Sequence, residues 1–427
     1  MIARIVPAIR LRRDTSSWSY RIPAGVSVQA GSLVSISFRG RPTPGVVWSV
    51  EAEDDEATES IGEILCGAPL VRRPQRALIE WLAEEGVCSL SSALFIWLPA
   101  PLRRLPLRAH ARQVLAGLGN QISDAAEMVA GGQHCVLVPG RREAQEAQLE
   151  RKFGATFARL SDFASEREEL ERWAAIARGD IRVGVGGERA LFSPWRNLRH
   201  LTVVEPEDVA HYHESRPYLS LVDAAGALAK AANAELLHRT HLPTAAGERL
   251  WGRSLGCDEE PPIRIVDLVR KSLITDELVA AARETLGAGK DVLVLHNRKD
   301  ALREETVDGR SQLKRVEGAE TVMKKLAAAL PEFDPRRVHV GTRAILARPR
   351  RNVGLTVALT VDHLLENPLF ADQLHGWGDL GRLFSYGCPC IIQTHSSDHP
   401  MVWALAGGRF CSCKTNPAVS RHRHVKV

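Results

Sequence analysis

The feature that most constrains the fold is a change of hydrophobic rhythm near residue 112. Before it, apolar residues come in short runs with strand spacing, at 26–30, 33–38 and 45–50. Gly31 and then Arg39-Gly40-Arg41-Pro42-Thr43-Pro44 part these runs, and both are turn chemistry. A helix is expected at about 75–85, and the Pro- and Arg-rich stretch 99–108 reads as a linker. After it, helical and strand patterns alternate. The expected helices are 112–130, 141–152, 166–177, 223–232, 276–286 and 318–329, and the expected strands 135–139, 181–185, 201–205, 292–295, 338–340, 355–361 and 390–393. This grammar predicts an α/β protein: a β-rich N-terminal domain, then two lobes with largely parallel sheets.

Composition narrows the function classes. Hydrophobic residues at 44% and charged residues at 25% are ordinary for a globular chain. No apolar run approaches a membrane span, and the first residues lack a signal-peptide pattern. A cytoplasmic location with no membrane association is therefore expected. The eight Cys then read as reduced thiols. Net charge is only +5, but arginines cluster at 10–21, 39–41, 103–112 and 336–351. Such groups can converge on one polyanion after folding. Charge alone leaves nucleic acid and a solvated basic surface both open.

Several active-site classes lack their residues. A phosphate-binding loop needs G-x-x-x-x-G-K-[ST] between a strand and a helix. The one Gly-Lys pair, Gly289-Lys290, is followed by Asp291 and lies between a predicted helix and a predicted strand, the reverse order. Cys388-Pro389-Cys390 and Cys411-Ser412-Cys413 supply four thiols without zinc-ribbon spacing, so zinc is not expected. His211, His213, His238 and His241 lack the helix-borne metalloenzyme pattern. No catalytic residue is assigned.

The N-terminal motifs resemble the primosomal protein N′ (PriA) family of bacterial replication-restart helicases. Trp18-Ser19-Tyr20, Pro23, Gly31 to Arg41, Gly45-Val46-Val47 and Glu63-Ile64-Leu65 follow that family's 3′-end-binding domain in order. Two positions depart: Ser19 replaces an Asp and Glu59 a Lys of the end-binding pocket. The resemblance implies residues 1–100 as this domain, 101–112 as a basic linker, 113–255 and 256–415 as two degenerate helicase lobes, and 416–427 as a basic tail.

In the first lobe, the stretch from Gly184 to Pro194 is similar to the family's GTRSALFAP, and the metal-binding D-E pair reads Glu205-Pro206. The expected Walker loop, Ala116 to Ile122, has no Lys. In the second lobe, Val294 to Arg298, Gly341-Thr342-Arg343, Gly378-Asp379-Leu380-Gly381-Arg382 and Ile391 to Pro400 follow family motifs, with one Arg of GRAGR lost. Gly184, Glu205, Gly341, Thr342, Gly378, Gly381 and Arg382 are thus vestigial helicase positions, and no Cys-rich zinc module lies between 299 and 316.

The resemblance implies binding of forked or single-stranded DNA without ATP hydrolysis, with at most a vestigial ATP site. Trp18, Tyr20, Arg21, Arg39 and Arg41 would contact a strand end, and Arg103, Arg104, Arg343, Arg348, Arg350 and Arg351 the phosphates. Implied partners are the replicative helicase, its loader and single-strand-binding protein. An ATP-dependent translocase with a noncanonical nucleotide site and a protein-binding replisome scaffold stand as alternatives.

Overall fold

The computed structural model describes residues 1–11, 17–52, 59–86, 88–123, 132–139, 143–213, 219–255, 262–296, 301–307, 310–316, 318–331, 333–347, 350–366 and 370–406. The chain divides into two compact units, Met1–Arg239 and Thr240–Val427.

The first unit opens on an antiparallel sheet of β1 (Ile2–Pro7), β2 (Trp18–Arg21), β3 (Leu33–Phe38), β4 (Arg41–Glu51) and β5 (Ile64–Cys66), in the order β2-β1-β4-β3-β5. Inward residues alternate along it. Ala3, Ile5, Tyr20, Val34, Ile36, Phe38 and Val47 close one core. The β3–β4 hairpin pairs Phe38 with Arg41, leaving a two-residue loop in which Arg39 and Gly40 both have positive φ, 51° and 71°. That is the primed turn whose twist matches the strands it joins. The strand expected at 26–30 does not form. Gln29 N–H bonds to Ser32 Oγ and Gly31 turns at φ 95°, so this backbone satisfies itself locally.

Helices α1 (Arg73–Glu85) and α2 (Leu90–Trp97) follow, the second capped by the Ser89 hydroxyl. The stretch expected as a linker is ordered and packed, with Leu102 and Leu107 buried. Helix α3 (Ala109–Ser123) then leads to an α/β layer of β6 (Gln133–Leu137), α4 (Glu143–Phe153), β7 (Phe157–Arg159), α5 (Glu166–Arg178), β8 (Val183–Gly186), α6 (Glu188–Leu191) and β9 (Leu198–Val204). A small hairpin of β10 (Tyr212–His213) and β11 (Leu219–Ser220), α7 (Leu221–Ala232) and β12 (Glu235–Arg239) complete the unit. Its parallel strands run β12-β9-β6-β8-β7. Ser165 caps α5 and Gly179, at φ 92°, ends it, as the acidic start and Arg-Gly finish of that segment predict. Gln75 Nε2 donates to the Trp195 carbonyl and Arg72 to that of Arg196, tying α1 to the parallel sheet.

The second unit carries α8 (Thr244–Trp251), β13 (Ser254–Leu255), β14 (Ile263–Asp267), α9 (Asp276–Gly287), β15 (Asp291–Leu295), a hairpin of β16 (Ala301–Val307) and β17 (Arg310–Val316), α10 (Ala319–Ala329), β18 (Val338–Gly341), β19 (Val353–Ala358), α11 (Asp362–Glu366), α12 (Phe370–Phe384), β20 (Cys390–Thr394) and α13 (Pro400–Leu405). Its five-stranded sheet is parallel throughout, in the order β14-β20-β19-β15-β18. Apolar clusters cover both faces, as near-continuous hydrophobic strands require. The expected mixed α/β class is what the chain adopts. Gly289-Lys290 turns between α9 and β15, with Gly289 at φ 77°.

Candidate nucleic-acid interface

The edge of the antiparallel sheet gathers most of the predicted end-contacting residues. Trp18 stands edge-on to Phe38, ring centroids 4.9 Å apart at 81°, and the Arg39 guanidinium lies 5.5 Å from the Phe38 ring. Trp18 is half-buried, whereas Arg21, Arg39 and Arg41 are exposed and make no ion pair with a described residue. Half-buried Trp18 and exposed Arg39 thus both pack on the ring of buried Phe38, and these two are the parts of the series that a base and its phosphate can reach. The strain at Arg39 was not visible beforehand. It occupies the position of a Gly in the family motif, in a backbone region that costs most side chains roughly 1–2 kcal/mol.

Tyr20 does not join this series. It is 4% exposed and its hydroxyl donates to the Ser37 carbonyl at 3.0 Å, so the residue is core rather than a stacking surface. Burial, and then the Glu59 carboxylate, push its pKa up to about 12. Glu59 is held beside β2 by the Arg21 N–H to Glu59 carbonyl bond of 2.8 Å. A negative charge thus stands at the position where the family motif has a Lys.

The other arginines divide. Arg103 clips the end of α2: its Nε donates to the Leu98 carbonyl at 2.7 Å and its Nη2 to that of Ile96 at 3.0 Å. The residue expected to contact phosphate therefore has its guanidinium engaged within the first unit. Arg104 and Arg351 are exposed without a described partner. Arg343 Nε donates to both carboxylate oxygens of Asp379 at 3.0 Å, and Arg350 Nη1 bonds His339 Nε2 at 3.0 Å, so both are engaged inside the protein. Arg348 lies outside the described residues.

Two of the positions expected to be vestigial helicase motifs, Gly184 and Gly341, sit where packing leaves no room for a side chain. A Cβ on Gly184 would meet Trp195 and Leu160 at 2.7 Å, and one on Gly341 would meet Ile345 at 2.3 Å. Thr342 accepts the Ile345 N–H at the start of a 3₁₀ turn. Gly378, Gly381 and Arg382 lie on α12. Asp379, where the family has the first Arg of GRAGR, is 2% exposed and neutralised by Arg343, which replaces the Gln of GTQ. Two charge-changing departures have become one ion pair. Glu205 follows β9 at φ 50°, its N–H on the Arg239 carbonyl. The segment 116–122 is helix α3, not a loop after a strand.

Among the described residues no three His, Cys, Asp or Glu side chains converge as metal ligands. Cys388 and Cys390 are buried free thiols, and Cys411 and Cys413 lie outside the described residues. No described helix is long and apolar enough to cross a membrane.

A family model described as the PriA 3′DNA-binding domain (3′BD) matches residues 8–99, the segment that carries Trp18, Phe38 and Arg39. The chain is also 21% identical over 336 residues to the replication restart protein PriA of Rickettsia conorii. The chain thus carries a segment similar to the PriA 3′DNA-binding domain and is distantly similar to PriA over about two thirds of its length. The match covers 66% of this chain and 51% of the Rickettsia protein, so the chain spans about half the length of that relative.

Proposed function

We propose that the chain is a DNA-binding replication-restart protein that engages a strand end at forked or branched DNA without hydrolysing ATP. The observation that carries this reading is the Trp18–Phe38–Arg39 stack, inside the segment matched by the 3′DNA-binding model and flanked by exposed Arg21 and Arg41. Arg104 and Arg351 add phosphate contacts. Glu59 weakens the grip on a terminal phosphate and favours recognition by stacking. The domain plan is the one the motifs imply: an end-binding domain to about residue 100, then two helicase-like lobes.

Loss of ATP turnover is supported by three features: a helix at 116–122, Pro206 in the acidic motif and an arginine position turned into buried Asp379. Phosphoryl transfer is almost wholly positioning and charge neutralisation, and each feature removes one such part. The replicative helicase, its loader and single-strand-binding protein are the partners this role requires.

Fluorescence anisotropy with a fork bearing a free 3′ end, against the same fork with that end blocked, tests the reading, with ATPase measured in parallel. Tighter binding to the free end without hydrolysis is the expected result. DNA-stimulated hydrolysis would restore the translocase reading. Absence of binding, with capture of replisome proteins, would replace it with the scaffold.

A further inference from the structure

In a parallel sheet each crossover helix returns the chain to the end where the strands begin, so helix C-termini gather there. In the first unit that end is basic. Arg151 and Lys152 close α4, Arg178 closes α5 and Lys230 closes α7. Cations in a last turn offset the helix dipole, which accounts for these residues. It does not account for Arg182, Arg196 and Arg199, which stand where β8 and β9 begin.

Arg199 is placed by a local irregularity. The β6–β9 ladder pairs Gln133 with Leu198 and then His134 with His200, so Arg199 is the extra residue of a bulge. Its stem lies across Gly132, at φ 71°, where a Cβ would stand 2.2 Å from Arg199 Cγ. Glycine alone leaves that path open. On the other side of β6, the His134 N–H donates to the Arg182 carbonyl at 2.7 Å. Two strand spacings, roughly 10 Å, thus separate the backbones of Arg182 and Arg199. Both residues are exposed, and neither pairs with a carboxylate among the described residues. The nearby carboxylates are taken, Asp180 by Arg178 at 2.7 Å and Glu235 by His200 at 3.1 Å.

Behind these two arginines, positive charge is packed without compensation. Arg72, just before α1, donates from Nη1 to the Arg196 carbonyl at 3.3 Å, and Arg196 Nη1 donates to the Arg178 carbonyl at 2.9 Å. Burial, and then the Arg196 charge, lower the Arg72 pKa. These inner guanidiniums are engaged with carbonyls, so they contribute charge rather than contact. Like charges held together in this way favour an anion at the surface beside them.

We propose that this face is a second DNA surface, on which Arg182 and Arg199 grip the phosphates of a duplex arm while Trp18 and Arg39 hold a strand end. The inference rests on the DNA-binding reading above. No Phe, Tyr or Trp is exposed among the described residues at this end, so cations meet the backbone and nothing stacks on bases. A duplex, whose bases are already stacked inside it, fits such a face better than a single strand. The spacing also fits. The Val71 N–H donates to the Gly31 carbonyl at 3.2 Å, which sets the residue before Arg72 where β3 begins. From there β3 runs roughly 17 Å to the turn carrying Arg39, about five base-pair steps.

The test uses the full chain with a 3′-overhang duplex, the overhang strand alone, and a blunt duplex with blocked 3′ ends, each titrated by anisotropy at several salt concentrations. We expect the duplex arm to tighten binding about tenfold over the strand alone, and the blocked duplex to bind through this face. Combining Arg182→Ala with Arg199→Ala should remove the gain and reduce the steepness of the duplex salt slope by about 2, with the overhang strand bound as before. Lys at both positions should restore most of the gain, and thermal unfolding checks that each variant folds. A duplex arm that adds nothing, or a gain that survives the double Ala variant, would overturn this inference and leave end capture standing. Binding of a polyglutamate peptide through the same two arginines, without binding of the blocked duplex, would also overturn it and reassign the face to an acidic protein segment. Binding of the blocked duplex but not of the overhang strand would sink end capture alone. Failure to bind any of the three DNAs would overturn both readings.

Discussion

At the residue scale, the most exposed commitment is Arg39. An Arg at φ 51° is strained, and the neighbouring residue is already the Gly that a primed turn accepts. Its guanidinium nevertheless extends the Trp18–Phe38 series outward. Stability and binding therefore pull in opposite directions here. Arg39→Gly should raise the urea unfolding free energy by about 1 kcal/mol while weakening DNA binding several-fold. A loss of stability would show that the cation–π contact outweighs the strain. The motif marked Arg39, Arg41 and Trp18 as candidates, since turn and aromatic residues keep their meaning locally. It equally marked Tyr20, which only tertiary packing turned inward onto Ser37.

At the element scale, α12 and the turn after β18 illustrate compensated loss. Asp379 and Arg343 stand 36 positions apart and read in sequence as two separate departures from family motifs; the fold joins them into one ion pair. Restoring the family residue with Asp379→Arg would bury two like charges together. It should cost about 3 kcal/mol or more in chemical denaturation, and adding Arg343→Gln should recover a large part of that. Equal stabilities of the single and double variants would mean the two residues are not coupled.

The sheet of the first unit holds a pH-sensitive row. His134 on β6 and His200 on β9 are register partners, as are His200 and Glu235 on β12. Burial, followed by the His200 charge, depresses the His134 pKa to about 4. The unfolded chain protonates this group near 6.5, so between those values unfolding takes up a proton and acid favours it. Stability should fall by about 3 kcal/mol as pH drops from roughly 6.5 to 4, more steeply than in His134→Gln. Denaturation midpoints at both pH values would measure this, and parallel slopes for the two proteins would refute it.

At the scale of the whole molecule, the exposed arginines without described partners, Arg21, Arg39, Arg41, Arg104 and Arg351, set the electrostatics of binding. If three or four of them contact phosphates at once, the slope of log affinity against log salt should be about −2 to −3 for a single strand. A slope near zero would indicate that stacking alone holds the strand. Arg103, Arg343 and Arg350 should contribute little to that slope, because their guanidiniums are already bonded internally.

The sequence by itself determined the α/β class, the strand-rich start, the turn at 39–40 and the absence of a phosphate-binding motif, because hydrophobic period, Gly and Pro placement and a missing Lys are local facts. Only the tertiary structure decided which arginines are free, that 26–30 satisfies its backbone by turning rather than pairing, and that 99–108 is packed. It alone set Arg182 and Arg199 at one end of a sheet and paired Asp379 with Arg343. Those outcomes depend on contacts between residues far apart in the chain, and burial and partner choice at such distances are fixed by packing, which no local pattern encodes.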